Sequence, residues 1–98
     1  MATYMMTFSF TQQGMQKIKE SPGRVEAAKK TIQSLGGTVR EFYGVLGAEY
    51  DTVFILEAPD DEAAARMAVA IGSMGNVRTS THRLFPDEEY RRIISGLP

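Results

Sequence analysis

The chain contains no cysteine and only one histidine in 98 residues. Without thiols there can be no disulfide, no thiolate metal site and no cysteine nucleophile, a composition that suits a reducing, cytoplasmic setting. A single imidazole with no histidine or cysteine companion makes a poor metal site, so neither metal nor cofactor is expected. An excess of charge of one sign is missing too: 11 Lys and Arg against 12 Asp and Glu leave a formal net charge of −1. Polyanion-binding proteins carry a surplus of Lys and Arg, so no nucleic-acid partner is expected. No apolar run approaches the about 20 residues that cross a bilayer, the densest being Val53-Phe54-Ile55-Leu56. The opening residues Met1 to Met6 lack both a basic region and a long apolar stretch, so no export signal is expected.

The patterning describes a single small domain over residues 1–98, with no break in composition. From Thr3 to Thr11 the larger side chains Tyr4, Met6, Phe8 and Phe10 alternate with mostly small polar ones, the period of a strand with one apolar face. Gln12–Glu20 reads as a single short turn or helix weakened by Gly14. Ser21-Pro22 then offers a cap followed by proline in the first turn, and Val25, Ala28, Ile32 and Leu35 form a helical stripe that Gly36-Gly37 ends. Thr38–Leu46 and Thr52–Ala58 read as strands around a turn, the second of them apolar on both faces and therefore central. Pro59-Asp60-Asp61-Glu62 opens a second long helix, with Ala64, Met67, Ala68 and Ile71 on its buried face. Val77–Phe85 is a fourth strand, and Pro86-Asp87-Glu88-Glu89 opens a terminal helix carrying Tyr90, Ile93, Ile94 and Leu97.

The order βαββαβ with right-handed crossovers gives an α+β, ferredoxin-like sheet of strand order 4-1-3-2 with helices on one face. A domain this short gains from covering its other, partly apolar face, and a second copy of the chain is the simplest cover. A homodimer or larger assembly is the expected state.

Several segments together resemble the GYD domain family: Phe10-Thr11-x-Gln13-Gly14, Lys17-x-Lys19-x-Ser21-Pro22-x-Arg24, Phe42-Tyr43, and Glu57-Ala58-Pro59-Asp60-Asp61-Glu62 with Gly75-Asn76-Val77-Arg78-Thr79. The resemblance runs over nearly the whole chain and implies a dimeric α/β barrel, in which two ferredoxin-like sheets pack face to face. It prescribes no reaction. The chain departs from the family pattern at the turn Gly47-Ala48-Glu49-Tyr50-Asp51, one residue longer than usual, and at Gly44, where a bulky aromatic is common.

Candidate site residues follow from residue chemistry. Tyr50 and Asp51 could orient a ligand at the hairpin tip, or Asp51 could bond turn amides while Tyr50 packs on the sheet. Tyr43 could line a pocket between sheet and helices with its hydroxyl as donor, accompanied by Asp51, Glu57 or His82. Glu57 would serve as a general base if burial raised its pKa; otherwise it is solvated at a strand end. Arg78 and Thr79 on the last strand suit a small carboxylate or phenolic ligand, with a threonine-rich row of that strand facing Thr7 and Ser9. The leading expectation is a small-organic-molecule binder with ligand contacts from Tyr43, Tyr50, Asp51, Glu57, Arg78 and Thr79. The alternatives are a cofactor-free monooxygenase or isomerase using Tyr43, Asp51 and His82, and a structural or partner-interaction module.

Overall fold

A computed structural model describes all residues from Met1 to Pro98. Strand β1 (Ala2–Phe10) leads into a short helix α1 (Gln12–Gln16) and a 3₁₀ turn (Ile18–Glu20), so the segment read as one turn or helix is two. Helix α2 (Ser21–Ser34) follows, with Pro22 in its first turn, where a missing N–H leaves no bond unmade. Then come β2 (Thr38–Gly44), β3 (Thr52–Ala58), α3 (Asp61–Gly72), β4 (Val77–Leu84) and α4 (Asp87–Ser95). Asp60 caps α3, its carboxylate accepting the Ala63 N–H at 2.9 Å. β2 stops at Gly44 instead of running to Leu46. The chain stays tethered just beyond it, where the Val45 N–H donates to the Asp51 carbonyl at 2.8 Å.

The four strands form one sheet in the order β2-β3-β1-β4 with every neighbouring pair antiparallel. This is the expected ferredoxin-like arrangement read from the opposite edge. Period two divides the sheet's side chains between its faces. On the covered face Tyr4, Met6 and Phe8 of β1 stand beside Leu56, Phe54 and Thr52 of β3. There they join Ile32 of α2 and Ala63, Ala64, Met67 and Ile71 of α3 in one core. Phe54, Met6, Ile32, Leu56 and Met67 are completely buried, each worth about 1.5–3 kcal/mol relative to exposure.

The opposite face has Met5, Val53 and Ile55 at its centre, with Thr7 between Val53 and Ser80. Tyr43, Glu41 and Glu57 flank this centre on one side and Ser80, His82 and Leu84 on the other. No helix of the chain is long and apolar enough to cross a membrane.

A register shift between Val39 and Glu41 decides which β2 side chains reach the core. Val39 pairs with Leu56 on the covered face, yet Glu41, two residues on, pairs with Ile55 on the open one. Beyond this bulge Phe42 is brought to the covered face beside Phe54, and Tyr43 is sent to the open face beside Val53.

Candidate functional site

α2 and α3 cover the sheet unequally, and a cavity of about 360 Å³ lies where α2 stands away from it. Its sheet wall is aromatic, built from Phe8, Phe10, Phe42 and Phe54 with Thr52 and Val77. Phe54 meets Phe8 edge to face at 5.0 Å between centroids and Phe42 at 5.7 Å, geometries that favour aromatic pairs. The helix walls are Val25, Ala27, Ala28 and Thr31 of α2 with Ala70 and Ile71 of α3, and exposed Met74 closes part of one side. Alanines opposite phenylalanine rings leave the volume unfilled.

At one end of the cavity the lining residues Met74 and Asn76 are held by a hydrogen-bonded latch between α1 and the turn before β4. The Thr11 hydroxyl accepts the Gly14 N–H at 3.1 Å and donates to the Gly75 carbonyl at 2.6 Å. The Thr11 N–H donates to the Asn76 carbonyl at 3.1 Å, and the Gln13 amide donates to Asn76 Oδ1 at 3.1 Å and to the Met74 carbonyl at 3.2 Å. Gly14 sits so near that a Cβ there would lie 2.1 Å from the Asn76 carbonyl oxygen, and Gly75 turns with φ of 87°. From α2, Arg24 donates to the Gly14 carbonyl at 3.0 Å and to the Lys17 carbonyl at 2.8 Å. It is the one ionisable side chain lining the cavity.

None of the candidates named from the sequence lines this cavity. Tyr43 is exposed on the open face and donates its hydroxyl to the Glu41 carboxylate, a bond that raises the phenol's pKa. Asp51 fastens the hairpin to β1: its carboxylate accepts the Phe10 N–H at 2.9 Å and its own N–H donates to the Phe8 carbonyl at 2.8 Å. Tyr50 lies in the adjoining loop, half-buried, and the Glu49 carbonyl before it accepts the Ser9 hydroxyl at 3.3 Å.

Glu57 corrects the general-base expectation. Arg40 grips its carboxylate at 2.9 and 3.3 Å, and that hydrogen bond holds its pKa below the usual carboxylate range. His82 pairs across from Met5 on the open face, its ring Nε2 3.0 Å from the Ser80 hydroxyl. The row beside Thr7 and Ser9 is Ser80 and Arg78, not the threonines, because Thr79 pairs with Phe8 and Thr81 with Met6 on the covered side. No three His, Asp or Glu side chains converge as a metal-ligand set.

Chemistry-led reading passed over every lining residue, among them Phe10, Phe42, Arg24, Asn76 and Val77. Their signal was present, since all five belong to the segments that resemble the GYD pattern. Most carry no titratable group, so a search for acids, bases and nucleophiles does not select them.

The GYD domain profile matches residues 4–94 of this chain. A Thermus thermophilus protein named "Glutamine synthetase and cystathionine beta-lyase binding protein" is 30% identical over 87 residues, 88% of this chain and 90% of its own length. A crystal structure of a Thermus thermophilus protein superimposes with a TM-score of 0.56 at 27% identity, covering 88% of this chain and 95% of that one.

Proposed function

The chain belongs to the GYD domain family, and from that premise we propose that it is a non-catalytic, homo-oligomeric protein that holds a small, largely apolar organic molecule in the cavity under α2. The cavity carries this reading. Its volume of about 360 Å³ and its 11 hydrophobic residues out of 16 match the usual make-up of small-ligand sites, apolar walls with a few polar groups that set orientation. Ser21, Thr31, Thr52 and Asn76 are those polar groups. Proton transfer needs a titratable group within hydrogen-bond reach of the ligand. Arg24, the only ionisable lining residue, is committed to two backbone carbonyls.

An enzyme built on Tyr43, Asp51 and His82 is less well supported. Tyr43 and Ser80 stand at opposite ends of one cross-strand row through Val53 and Thr7, so three strand spacings, about 14 Å, separate the phenol's strand from that of His82. The Asp51 carboxylate serves the hairpin.

Self-association uses the open sheet face, giving a dimeric α/β barrel. That face is apolar at its centre, with acidic Glu41 on one edge strand and basic Arg78 on the other. A two-fold axis that sets β2 of one protomer beside β4 of the next opposes unlike charges. The cytoplasm is its compartment, in keeping with the absence of cysteine. A second reading, docking on a larger enzyme, draws on the relative named for binding glutamine synthetase and cystathionine β-lyase and on Leu46, fully exposed in the hairpin loop.

Native mass spectrometry of protein purified from its own host tests the ligand reading. Wild type should retain a small molecule that Ala28→Leu, which narrows the cavity, releases. A wild type that carries nothing and takes up no aromatic or aliphatic probe contradicts it, as does a ligand retained equally by Ala28→Leu.

A further inference from the structure

The face-to-face dimer, on which this inference rests, leaves a shortfall in buried surface. Four strands about 4.8 Å apart and about seven residues long at about 3.4 Å each make a face of about 19 by 24 Å, or about 450 Å². Permanent homodimers bury about 1,000 Å² or more from each partner. At that flat figure the sheet faces alone fall short, and another element is free to contribute.

α4 is the element left over. Its Tyr90, Ile93 and Ile94 fall at i, i+3 and i+4, one stripe of the helix, and Leu97, at i+7, continues that line just past the helix end at Ser95. They remain 56, 46, 46 and 63% exposed, and no residue of α4 is buried. α4 makes only sparse contact with the other elements of the protomer, and the protomer as a whole is elongated. The longest dimension is 51 Å, against about 31 Å for a nine-residue strand. The radius of gyration is 14.6 Å, where a compact chain of this length has about 12.6 Å.

Its angle is held by Arg83, which pairs with Glu89 at 2.8 Å while its guanidinium lies 4.8 Å from the Phe85 ring and 5.7 Å from that of Tyr4. The polar side is braced by Asp87 and Arg91 at 3.1 Å. α4 follows directly on β4, whose last open-face residues are His82 and Leu84, paired with Met5 and Thr3.

We infer that α4 is the clamping arm of the homodimer: its Tyr90-Ile93-Ile94-Leu97 stripe packs on a second copy of the chain and completes the interface that the open sheet faces begin. A nine-residue helix with an uncovered apolar stripe has little reason to stay folded alone in water. Docking on the second copy supplies that stripe's missing cover.

Sedimentation-equilibrium measurements on the full chain and on an Ile93→Asp/Ile94→Asp variant test the inference. Wild type should be dimeric, and the variant's dimer dissociation constant should rise about 100-fold or more, because each dimer loses four apolar contacts. Its covered core should be unaffected, as read from the methyl NMR signals of Ile32 and Met67. A milder Ile93→Ala/Leu97→Ala variant, which keeps helix propensity, should weaken the dimer about tenfold.

A dimeric wild type whose variants dimerise equally tightly overturns the role of α4 and leaves the face-to-face reading standing. A monomeric wild type overturns both. A monomer that sediments with phosphatidylserine vesicles assigns the stripe to a membrane surface instead.

Discussion

α2 and α3 occupy equivalent places in the two halves of the fold, yet only one of them closes on the sheet. α3 buries Ala63, Ala64, Met67 and Ile71, and its small residues let the helix backbone approach. α2 buries Ile32 alone, leaving Val25, Ala28 and Leu35 only partly covered. Each helix has a polar tie near its start. The Tyr4 hydroxyl donates to the Asp61 carboxylate at 2.6 Å under α3, and Arg24 of α2 donates to the Gly14 and Lys17 carbonyls. The ties differ in what they fix. Tyr4 reaches from the sheet to α3, whereas Arg24 fastens α2 to the α1 latch. The alanines above the phenylalanines are then left facing a gap. One half of the molecule is core, and the other is a roof over a cavity.

The largest effect that separates the two halves is expected from core truncation. Met67→Ala should cost about 2–5 kcal/mol in urea unfolding. Val25→Ala, in the cavity wall, should cost less than about 1 kcal/mol, since little surrounds the atoms it removes. Equal losses would dissolve the distinction between core and roof.

A smaller effect concerns the tie under α3. Burial first, and the Asp61 hydrogen bond second, push the Tyr4 phenol up to about 12. A raised phenol pKa means that the folded state favours the neutral form. The contribution is therefore complete below the ordinary tyrosine value of about 10 and is lost as pH rises from there through about 12. Tyr4→Phe should cost about 1 kcal/mol near neutrality and flatten the decline in stability over that alkaline window. An unchanged alkaline profile would mean that Tyr4 does not connect β1 to α3.

The strand alternation in Thr3–Thr11, the doubly apolar Thr52–Ala58 and the acidic helix openings made the elements readable from local signals, and right-handed crossovers then gave the sheet order. The cavity was not readable for two physical reasons. The Val39–Glu41 bulge breaks period two, so counting along β2 does not reveal that Phe42 faces the helices and Tyr43 the open side. A cavity is also a property of what neighbouring side chains fail to fill, and no residue type announces that Ala28 stands opposite a phenylalanine. Asp51 and Glu57 show the converse. Both are acids of the kind a search for catalytic groups selects, and both are engaged by hydrogen bonds within the chain, to the Phe10 N–H and to Arg40.

An NMR titration of isotope-labelled wild type with 1-naphthol as probe addresses the central claim most directly. The methyl signals of Val25, Ala28, Ala70 and Val77, which line the cavity, should shift together and saturate, while those of Val53 and Ile55 on the open face stay still. Shifts confined to Val53 and Ile55, or none at any of these methyls, would contradict the account.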